Sequence, residues 1–403
     1  QIALVAAAVA VTVLFVITFS FVFMWCDKTA KMTAEVYPLW HVILAPVCFF
    51  LGAGLCWQFA PHAVGNGIHK IRLALHKMDS SSDAVEPYLG GKLIVTKTFA
   101  SWICSFGGGA LGREGPVVHL ASALFWMFGR KVQRILPFIE LRHWVVGGAA
   151  IGFAVAFQTP LAGLMFVIEE LSDDSLARGR SMLLWLVLGA CLLQGFIVPY
   201  APIFSFNLMT TEWVSQLPLL ALTAVVCGAL SALLHITSRK AQAHVQERYP
   251  FWMVAPLCGL AVGGIGIWCG GQSFGGGVIT LQHALQQPDA SIHLPQFLGR
   301  LANTLLGAFS GNAGGLLGPS LALGAGVGSV IGEWFHLFNV RLLMMCGMAA
   351  FLSGLMAVPL TATLLVFETT GHGSFILPFF IAAMLGHLAS TTVRKVLRSD
   401  ETL

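Results

Sequence analysis

Long apolar stretches constrain the fold of this chain more than any other feature. Many reach the roughly 20 residues that a helix needs to cross a bilayer, among them 2–25, 40–60, 143–168, 182–205, 217–236, 252–271 and 341–367. Only 10% of the 403 residues are charged, whereas soluble domains carry roughly a quarter. No segment alternates with period two for long enough to close a barrel. The sequence therefore predicts an all-α integral membrane protein.

The charged and sulfur-containing residues exclude several other classes. Basic residues gather in short loops between apolar stretches, which is typical of topology marking and not of a nucleic-acid surface. The nine cysteines occur singly with no C-x-x-C pair, so neither a zinc site nor a disulfide framework is predicted. We expect no metal and no cofactor. No long polar insertion divides residues 1–403, which predicts one membrane domain without a soluble regulatory domain. The chain begins at Gln1 without a methionine, so we expect a preceding segment.

An internal repeat divides the chain into two halves. The segment 148–169 has a counterpart in 347–368, with Gly, Pro-Leu and Glu recurring at an offset of 199 residues. Upstream, Gly115-Pro116 has a counterpart in Gly318-Pro319 at an offset of 203. We predict repeat one over about 40–205 and repeat two over about 217–392. Transporters use such repeats with broken helices to build a midplane substrate site. The residues themselves leave parallel and inverted repeats open.

Three glycine-rich helix breaks carry the candidate anion site. Each precedes a predicted helix, whose first N–H groups and positive dipole end bind anions. Proline in the first turn of a helix loses no hydrogen bond. No cluster of carboxylates faces these breaks, so the substrate is predicted to be an anion. The candidate residues are Gly65, Asn66, Gly67, Ile68, Gly112, Arg113, Gly115, Pro116, Leu316, Leu317 and Gly318.

Glu114 places a titratable carboxylate at one of these helix starts. An acid there occupies the anion site while charged and is released by protonation, which makes it a candidate gate. The alternative is a glutamate that only satisfies its own helix dipole. Glu169 and Glu170 are either a solvated pair at a helix end, or one of them is a proton station. We expect Arg113 and Glu368 to act as structural anchors; the alternative is that Arg113 pairs with a buried carboxylate such as Glu368.

Four motifs in chain order resemble the CLC family of anion channels and proton-coupled anion exchangers. They are Gly-Arg-Glu-Gly-Pro at 112–116, Gln-Thr-Pro-Leu-Ala-Gly at 158–163 with Glu169-Glu170, Gly-Gly-Leu-Leu-Gly-Pro-Ser-Leu-Ala-Leu-Gly at 314–324, and Pro-Leu-Thr-Ala-Thr-Leu-Leu-Val-Phe-Glu-Thr-Thr-Gly at 359–371. The resemblance implies two inverted repeats with broken and re-entrant helices, and a homodimer in the cell inner (plasma) membrane with one pore per subunit. It implies that Glu114 is the gating glutamate and Glu170 the internal proton glutamate, a combination that favours exchange.

The departures from the family pattern concern the choice of anion. Asn66 replaces the serine of the chloride-handling members, and Leu317 stands at the phenylalanine position of the family's Gly-x-Phe-x-Pro, which here reads Gly315-Leu-Leu-Gly-Pro319. No tyrosine occurs in the last helix. The bacterial fluoride-exporting branch is similar in having Asn or Met for the serine and no pore tyrosine, although it has threonine where Pro116 stands here. We therefore favour a fluoride/proton antiporter over a chloride or nitrate/proton antiporter.

Two further alternatives belong to different functional classes. A passive anion channel of the same fold has the same motifs, and a membrane-embedded enzyme or haem protein is the least favoured reading. The fragment Gly107-x-Gly109-x-x-Gly112 fits a dinucleotide fingerprint but lacks a surrounding βαβ pattern. His119 is expected to pack or to form a hydrogen bond, not to bind haem. The expected partners are fluoride or chloride, protons and membrane lipid.

Overall fold

The computed structural model describes residues 2–78, 83–137, 139–171, 180–204, 206, 213–286, 291–337 and 339–399. Within these ranges the chain is helical and contains no strand. The helices are α1 (Ile2–Val36), α2 (His41–Phe59), α3 (Ile68–Lys77), α4 (Glu86–Leu89), α5 (Gly91–Phe106), α6 (Glu114–Val132), α7 (Leu141–Phe157), α8 (Pro160–Phe166), α9 (Arg180–Ile197), α10 (Leu217–Arg248), α11 (Phe251–Trp268), α12 (Val278–Gln286), α13 (Leu294–Phe309), α14 (Leu317–Trp334), α15 (Arg341–Met356), α16 (Pro359–Thr370) and α17 (Ile376–Ser399).

Five helical segments in the described ranges are long and apolar enough to cross a membrane. They are Ile2–Val36, Pro38–Phe59, Leu217–Lys240, Phe251–Trp268 and Gly373–Leu397. Leu141–Phe157, Met182–Ile197 and Arg341–Met356 are apolar but shorter. The predicted all-α membrane fold is confirmed.

Two of the predicted apolar stretches are not single helices. The stretch 143–168 divides into α7 and α8, and the stretch 341–367 divides into α15 and α16. At each division one residue, Gln158 or Ala357, has a left-handed backbone with φ of 56° or 62°. The next residue is extended, because the proline that follows it disfavours the helical conformation. The same local chemistry therefore turns the chain twice inside apolar sequence.

Equivalent helices in the two halves pack in the same way. Helix α6 packs along α7, and α14 packs along α15. Glycines allow this close approach. A methyl group on Gly148 of α7 would lie 2.5 Å from the Ala121 carbonyl oxygen of α6, and Gly347 of α15 lies against Gly324 of α14 in the same manner.

The re-entrant helices α8 and α16 cap each other. The Glu368 carboxylate, at the end of α16, accepts hydrogen bonds from the N–H groups of Leu161 (3.1 Å) and Ala162 (2.8 Å), at the start of α8. Near the end of the same α8 segment, the Glu169 carboxylate accepts hydrogen bonds from Leu360 (2.9 Å) and Thr361 (2.6 Å), at the start of α16. Each donor and acceptor of the first contact has its equivalent in the second, 199 residues away. The two helices therefore run in opposite directions about a local two-fold axis, as inverted repeats require.

Candidate functional site

The starts of α3, α6 and α14 meet inside the protein. A methyl group on Gly115, in the first turn of α6, would lie 2.8 Å from the Asn66 Cβ atom, just before α3. One on Gly315, just before α14, would lie 3.0 Å from the Gly115 nitrogen. Glycine is therefore required at both positions for the three loops to come this close. The structure brings the three predicted anion-binding breaks together.

Two equivalent glycines join the repeats at this meeting point. The N–H group of Gly112 donates to the carbonyl oxygen of Gly315 (2.7 Å), and the N–H group of Gly315 donates back to that of Gly112 (2.8 Å). These residues are 203 positions apart, and each stands three residues before the Gly of its Gly-Pro pair. The same local two-fold relation therefore holds at the candidate site.

Glu114 is the first residue of α6 and its side chain is buried, with 1% of its surface exposed. The carboxylate lies against the start of α14, where a methyl group on Gly318 would be 2.8 Å from Oε2 and 3.2 Å from Oε1. The buried Oε2 atom accepts no hydrogen bond from any described residue. The Glu114 carboxyl group therefore occupies the N-terminus of a helix that belongs to the other repeat.

Arg113 accompanies this carboxylate and does not pair with Glu368. Its Nε atom lies 3.7 Å from Glu114 Oε1, and its terminal nitrogens donate to the carbonyl oxygens of Ser20 and Ala156, both at 3.4 Å. The alternative pairing with Glu368 is wrong, because the N–H groups at the start of α8 already bind that carboxylate. Arg113 anchors α6 to α1 and α7.

Asn66 and Gly67 form the start of α3. The Oδ1 atom of Asn66 accepts a hydrogen bond from the Ile68 N–H group (3.2 Å), which leaves the side-chain NH₂ group as the donor for a ligand. Gly67 precedes the helix with a φ of 87°, a left-handed conformation that glycine adopts at little cost. Asn66 is therefore both a helix cap and a candidate donor beside Gly115.

The remaining predicted residues complete the three helix starts. Gly65 has a φ of 74°, donates from its N–H group to Asn312 O (3.0 Å), and accepts at its carbonyl oxygen from Gly314 N–H (3.4 Å). Leu316 stands at the N-cap position of α14, and Leu317 is the first residue of that helix. Pro116 is buried in the first turn of α6, where its missing N–H group leaves no intrahelical bond unmade.

Glu169 and Glu170 have separate partners, so neither is a solvated residue at a helix end. Glu169 caps α16, as described above. Glu170 Oε2 lies 2.9 Å from Arg72 Nη2, and the Glu170 side chain is 7% exposed while that of Arg72 is 47% exposed. Glu170 lies outside the membrane-spanning segments described above. Burial raises the pKa of Glu170 to about 7, the Arg72 charge opposes that rise, and the Glu169 charge adds to it.

His119, one turn into α6, forms a hydrogen bond as predicted. Its Nε2 atom lies 2.8 Å from the carbonyl oxygen of Tyr88, which only accepts, so Nε2 carries the proton. The other ring nitrogen, Nδ1, is buried against Gly67. In the part of the chain that the structure describes, no group of three or more His, Cys, Asp or Glu residues is arranged to hold a metal ion.

Comparison with known proteins identifies the family. The family described as "Voltage gated chloride channel" matches residues 47–391, which is most of the chain. The chain belongs to the voltage gated chloride channel (CLC) family. The order of the four sequence motifs and the inverted arrangement of α8 and α16 agree with this membership.

Two curated relatives match most of the chain in sequence. The H⁺/Cl⁻ exchange transporter ClcA of Vibrio cholerae is 29% identical over 368 residues, covering 86% of this chain and 76% of that protein. The Vibrio parahaemolyticus ClcA is 30% identical over 370 residues, with 87% and 76% covered.

Two solved structures share the fold at lower sequence identity. A slow cyanobacterial Cl⁻/H⁺ antiporter has a TM-score of 0.76 and 20% identity, with 99% of this chain and 97% of that chain covered. A CLC-type fluoride/proton antiporter has a TM-score of 0.80 and 18% identity, with 97% and 95% covered. At these identities the likeness is one of fold.

Asp27 and Lys97 are two of the buried charged residues that the sequence predictions did not include. Asp27 in α1 is 1% exposed, and its Oδ1 atom has no hydrogen bond with the described residues. Lys97 in α5 is fully buried. Neither belongs to a recognisable motif. The available signal was a single charge inside an otherwise apolar helix, which is a default reason to suspect function in a membrane protein.

Proposed function

We propose that this CLC protein exchanges a small anion for protons across the cell inner (plasma) membrane, as a homodimer of single-domain subunits with repeats near 40–205 and 217–392. The observation that carries the proposal is the position of Glu114. Its buried carboxyl group lies at the start of α14, and the adjacent Gly115 lies against Asn66 at the start of α3, so an incoming anion would meet the same helix N-termini. Side chain and anion therefore compete for one place.

Protonation decides that competition. A neutral Glu114 loses its attraction to the helix dipoles and to Arg113, so the side chain leaves and an anion replaces it. The anion is held by the Asn66 NH₂ group and by the N–H groups near Leu316 and Leu317. Glu170 passes the proton on the inner side, where its pKa of about 7 suits both uptake and release.

Fluoride is the anion that we favour, and Asn66 is the reason. An amide with its oxygen already bonded to Ile68 offers two N–H donors in a fixed direction, which suits a small, strongly hydrated anion. Chloride is the second candidate, because the curated relatives are H⁺/Cl⁻ exchange transporters at 29% and 30% identity.

Anion flux from proteoliposomes tests the choice of anion. Liposomes loaded with fluoride or chloride would be diluted into gluconate, and efflux followed with the matching ion-selective electrode. We expect faster fluoride efflux, and faster chloride efflux would contradict the fluoride assignment while leaving exchange intact.

Uphill proton movement separates the exchanger from a passive channel. An outward anion gradient should drive protons into the liposomes against their own gradient when the membrane potential is clamped. An acidification of the lumen, read from a trapped pH dye, is the expected result. Anion flux without any uphill proton movement would establish a channel instead.

A further inference from the structure

An open groove lies between α1, α9 and the segment that joins α6 to α7. Its volume is about 980 Å³, within the range of ligand-binding sites. Helix α1 contributes residues between Ile2 and Ala10, and α9 contributes one helical face from Met182 to Leu193. The lining side chains are apolar with two exceptions, and Ile2 and Trp185 are 87% and 75% exposed. The groove therefore faces the lipid that surrounds a membrane domain.

The groove follows the direction of α9. Gly147, in the first half of α7, lies against Leu186, in the first half of α9. Farther along, the Gln194 side chain of α9 donates to the Val155 carbonyl oxygen of α7 (2.9 Å), so the two helices are parallel and begin at the same end. The stretch 182–193 rises about 16 Å at 1.5 Å per residue, close to half of the roughly 30 Å hydrocarbon thickness. The groove therefore matches the depth of one leaflet.

Glu140 and His143 are the two polar residues of the groove, and both lie where α7 begins. The Glu140 side chain does not cap that helix, and its carboxylate forms no ion pair within the described ranges. The Nδ1 atom of His143 also lacks a hydrogen-bond partner in the described part of the chain. One end of the groove therefore offers a carboxylate that only accepts and an imidazole that donates from one ring nitrogen.

We propose that this groove binds one phosphatidylethanolamine molecule, with an acyl chain between α1 and α9 and the headgroup at Glu140 and His143. The primary ammonium group of this lipid has three N–H donors, as that of lysine has, and its positive charge pairs with the Glu140 carboxylate. The phosphate oxygens accept from the His143 ring. The acyl chain fills the groove, where van der Waals contacts with the apolar walls hold it.

Other lipid headgroups fit the polar end less well. Phosphatidylglycerol has a negative charge and no ammonium group, so the Glu140 carboxylate repels it. Phosphatidylcholine has a positive charge but no N–H donor for the carboxylate. Three exposed basic residues precede the groove and attract anionic headgroups, but their side chains do not line it. They are Arg130, Lys131 and Arg134, and they assign this end of the groove to the cytoplasmic leaflet.

The experiment is thermal unfolding of the whole chain in detergent during a titration with lipid. Phosphatidylethanolamine, phosphatidylcholine and phosphatidylglycerol with identical acyl chains would be compared. Phosphatidylethanolamine should raise Tm with saturation and reach half of that rise at the lowest ratio of lipid to detergent. Equal half-saturating ratios for the three lipids would overturn the proposal.

Gly189→Phe tests the position of the acyl chain. No atom lies within 4 Å of a methyl group added at Gly189, so a larger side chain can enter the groove. The half-saturating ratio for phosphatidylethanolamine should rise at least about tenfold, because apolar contacts of the acyl chain are lost. An unchanged ratio would contradict the proposal. Gly189→Leu serves if Gly189→Phe does not fold.

Gly195→Phe is the matched control for the groove. Gly195 lies in the same helix, has equally open surroundings and does not line the groove, so lipid binding should keep its wild-type half-saturating ratio. An equal loss in both variants would show that the effect comes from α9 in general, and would also contradict the proposal.

Glu140→Gln tests the headgroup. The half-saturating ratio for phosphatidylethanolamine should rise about two- to fivefold, as expected for an exposed ion pair, and its advantage over phosphatidylglycerol should disappear. Glu35→Gln, which makes the same charge change at the opposite end of α1, should leave that advantage in place. Retained selectivity in Glu140→Gln would contradict the assignment of the amine. Lipid binding requires no anion transport, so failure of the proposed function would leave these outcomes unchanged.

Discussion

The two repeats treat their equivalent carboxylates differently in two regions. In the α8 and α16 pair, both repeats keep a glutamate, and Glu169 and Glu368 cap each other's helices. At the α6 and α14 starts, one repeat has Glu114 and the other has Leu317 at the equivalent position. The first region is symmetric in sequence and contact, while the second is symmetric in backbone alone.

The difference between the two regions distinguishes a structural role from a role in transport. A reciprocal pair of caps satisfies exposed N–H groups inside a membrane domain, and both halves need it equally. Two carboxylates at the starts of α6 and α14 would repel each other across a short distance. One carboxylate leaves one place to be shared with an anion. The asymmetric position is therefore where we expect transport to depend on a single side chain.

Loss of Glu114 should have the largest effect. Glu114→Gln removes the titratable group of the asymmetric pair, so proton transport should fall at least about 100-fold while anion flux continues. Paired measurements with a pH dye and an ion-selective electrode check this. Proton transport that survives the substitution would show that another group carries the proton.

Glu86→Gln is the matched control for that substitution. Glu86 pairs with Arg130 at 2.6 Å, far from the helix starts, and its side chain is 53% exposed. Exposed ion pairs contribute about 0–1 kcal/mol. Both transport rates should stay at their wild-type values.

Substitution of Glu169 or Glu368, the symmetric pair, should lower the stability of the protein more than it changes the transport rates. Glu169→Gln weakens charge-assisted bonds to two N–H groups and to the Thr361 hydroxyl, and should cost about 2–3 kcal/mol. Glu368→Gln weakens bonds to two N–H groups, and should cost about 1–2 kcal/mol. Thermal unfolding in detergent measures both. A larger loss for Glu368→Gln would contradict the assignment of these carboxylates as caps.

A smaller effect is expected from crowding the asymmetric site. In Gly318→Ala the new methyl group would lie 2.8 Å from Glu114 Oε2, so the carboxylate must move away from α14. Anion flux should rise several-fold relative to proton flux. Gly264→Ala, in α11 where no neighbouring atom lies within 4 Å of the added methyl, should change neither rate. An unchanged ratio of anion flux to proton flux in Gly318→Ala would show that transport does not require the Glu114 carboxylate to lie at the start of α14.

The smallest expected effect concerns Glu170. The Arg72 charge favours the ionised carboxylate, so Arg72→Met should raise the pKa of Glu170 above its value of about 7. The pH midpoint of proton transport should shift upward by less than about one unit, because Arg72 is half-exposed and solvent screens its charge. Arg130→Met, whose partner is Glu86, should leave the midpoint in place. A downward shift would contradict the sign of this interaction.

Much of this architecture could be predicted from the sequence because bilayer thickness fixes helix length. The apolar stretches identified most long helices, and the Gly-Pro motifs marked the starts of α6 and α14 within a few residues. The breaks at Gln158 and Ala357 divided two predicted stretches, since a left-handed residue and a following proline outweigh apolar composition. A left-handed residue, an extended residue and a proline therefore determine where each predicted stretch divides.

Contacts between distant residues could not be predicted in the same way. The Gly112–Gly315 bridge joins residues 203 positions apart, and no local pattern indicates it. The alternative Arg113–Glu368 pair does not form, because opposite charge alone says nothing about proximity. The backbone N–H groups at the start of α8 bind the Glu368 carboxylate, and backbone groups do not appear in the pattern of charged residues. Lys97 was overlooked since one cation in an apolar helix forms no motif.

The Gly112–Gly315 bridge has a kinetic consequence. Its two hydrogen bonds tie the beginnings of α6 and α14 to each other, so neither helix can retract from the site without its counterpart. Rotation of the Glu114 side chain requires no such backbone displacement. Collective backbone motions take microseconds to milliseconds, and rotation of one side chain avoids them. We therefore expect turnover to be limited by proton arrival and not by rocking of the repeats, with a correspondingly weak dependence on membrane viscosity.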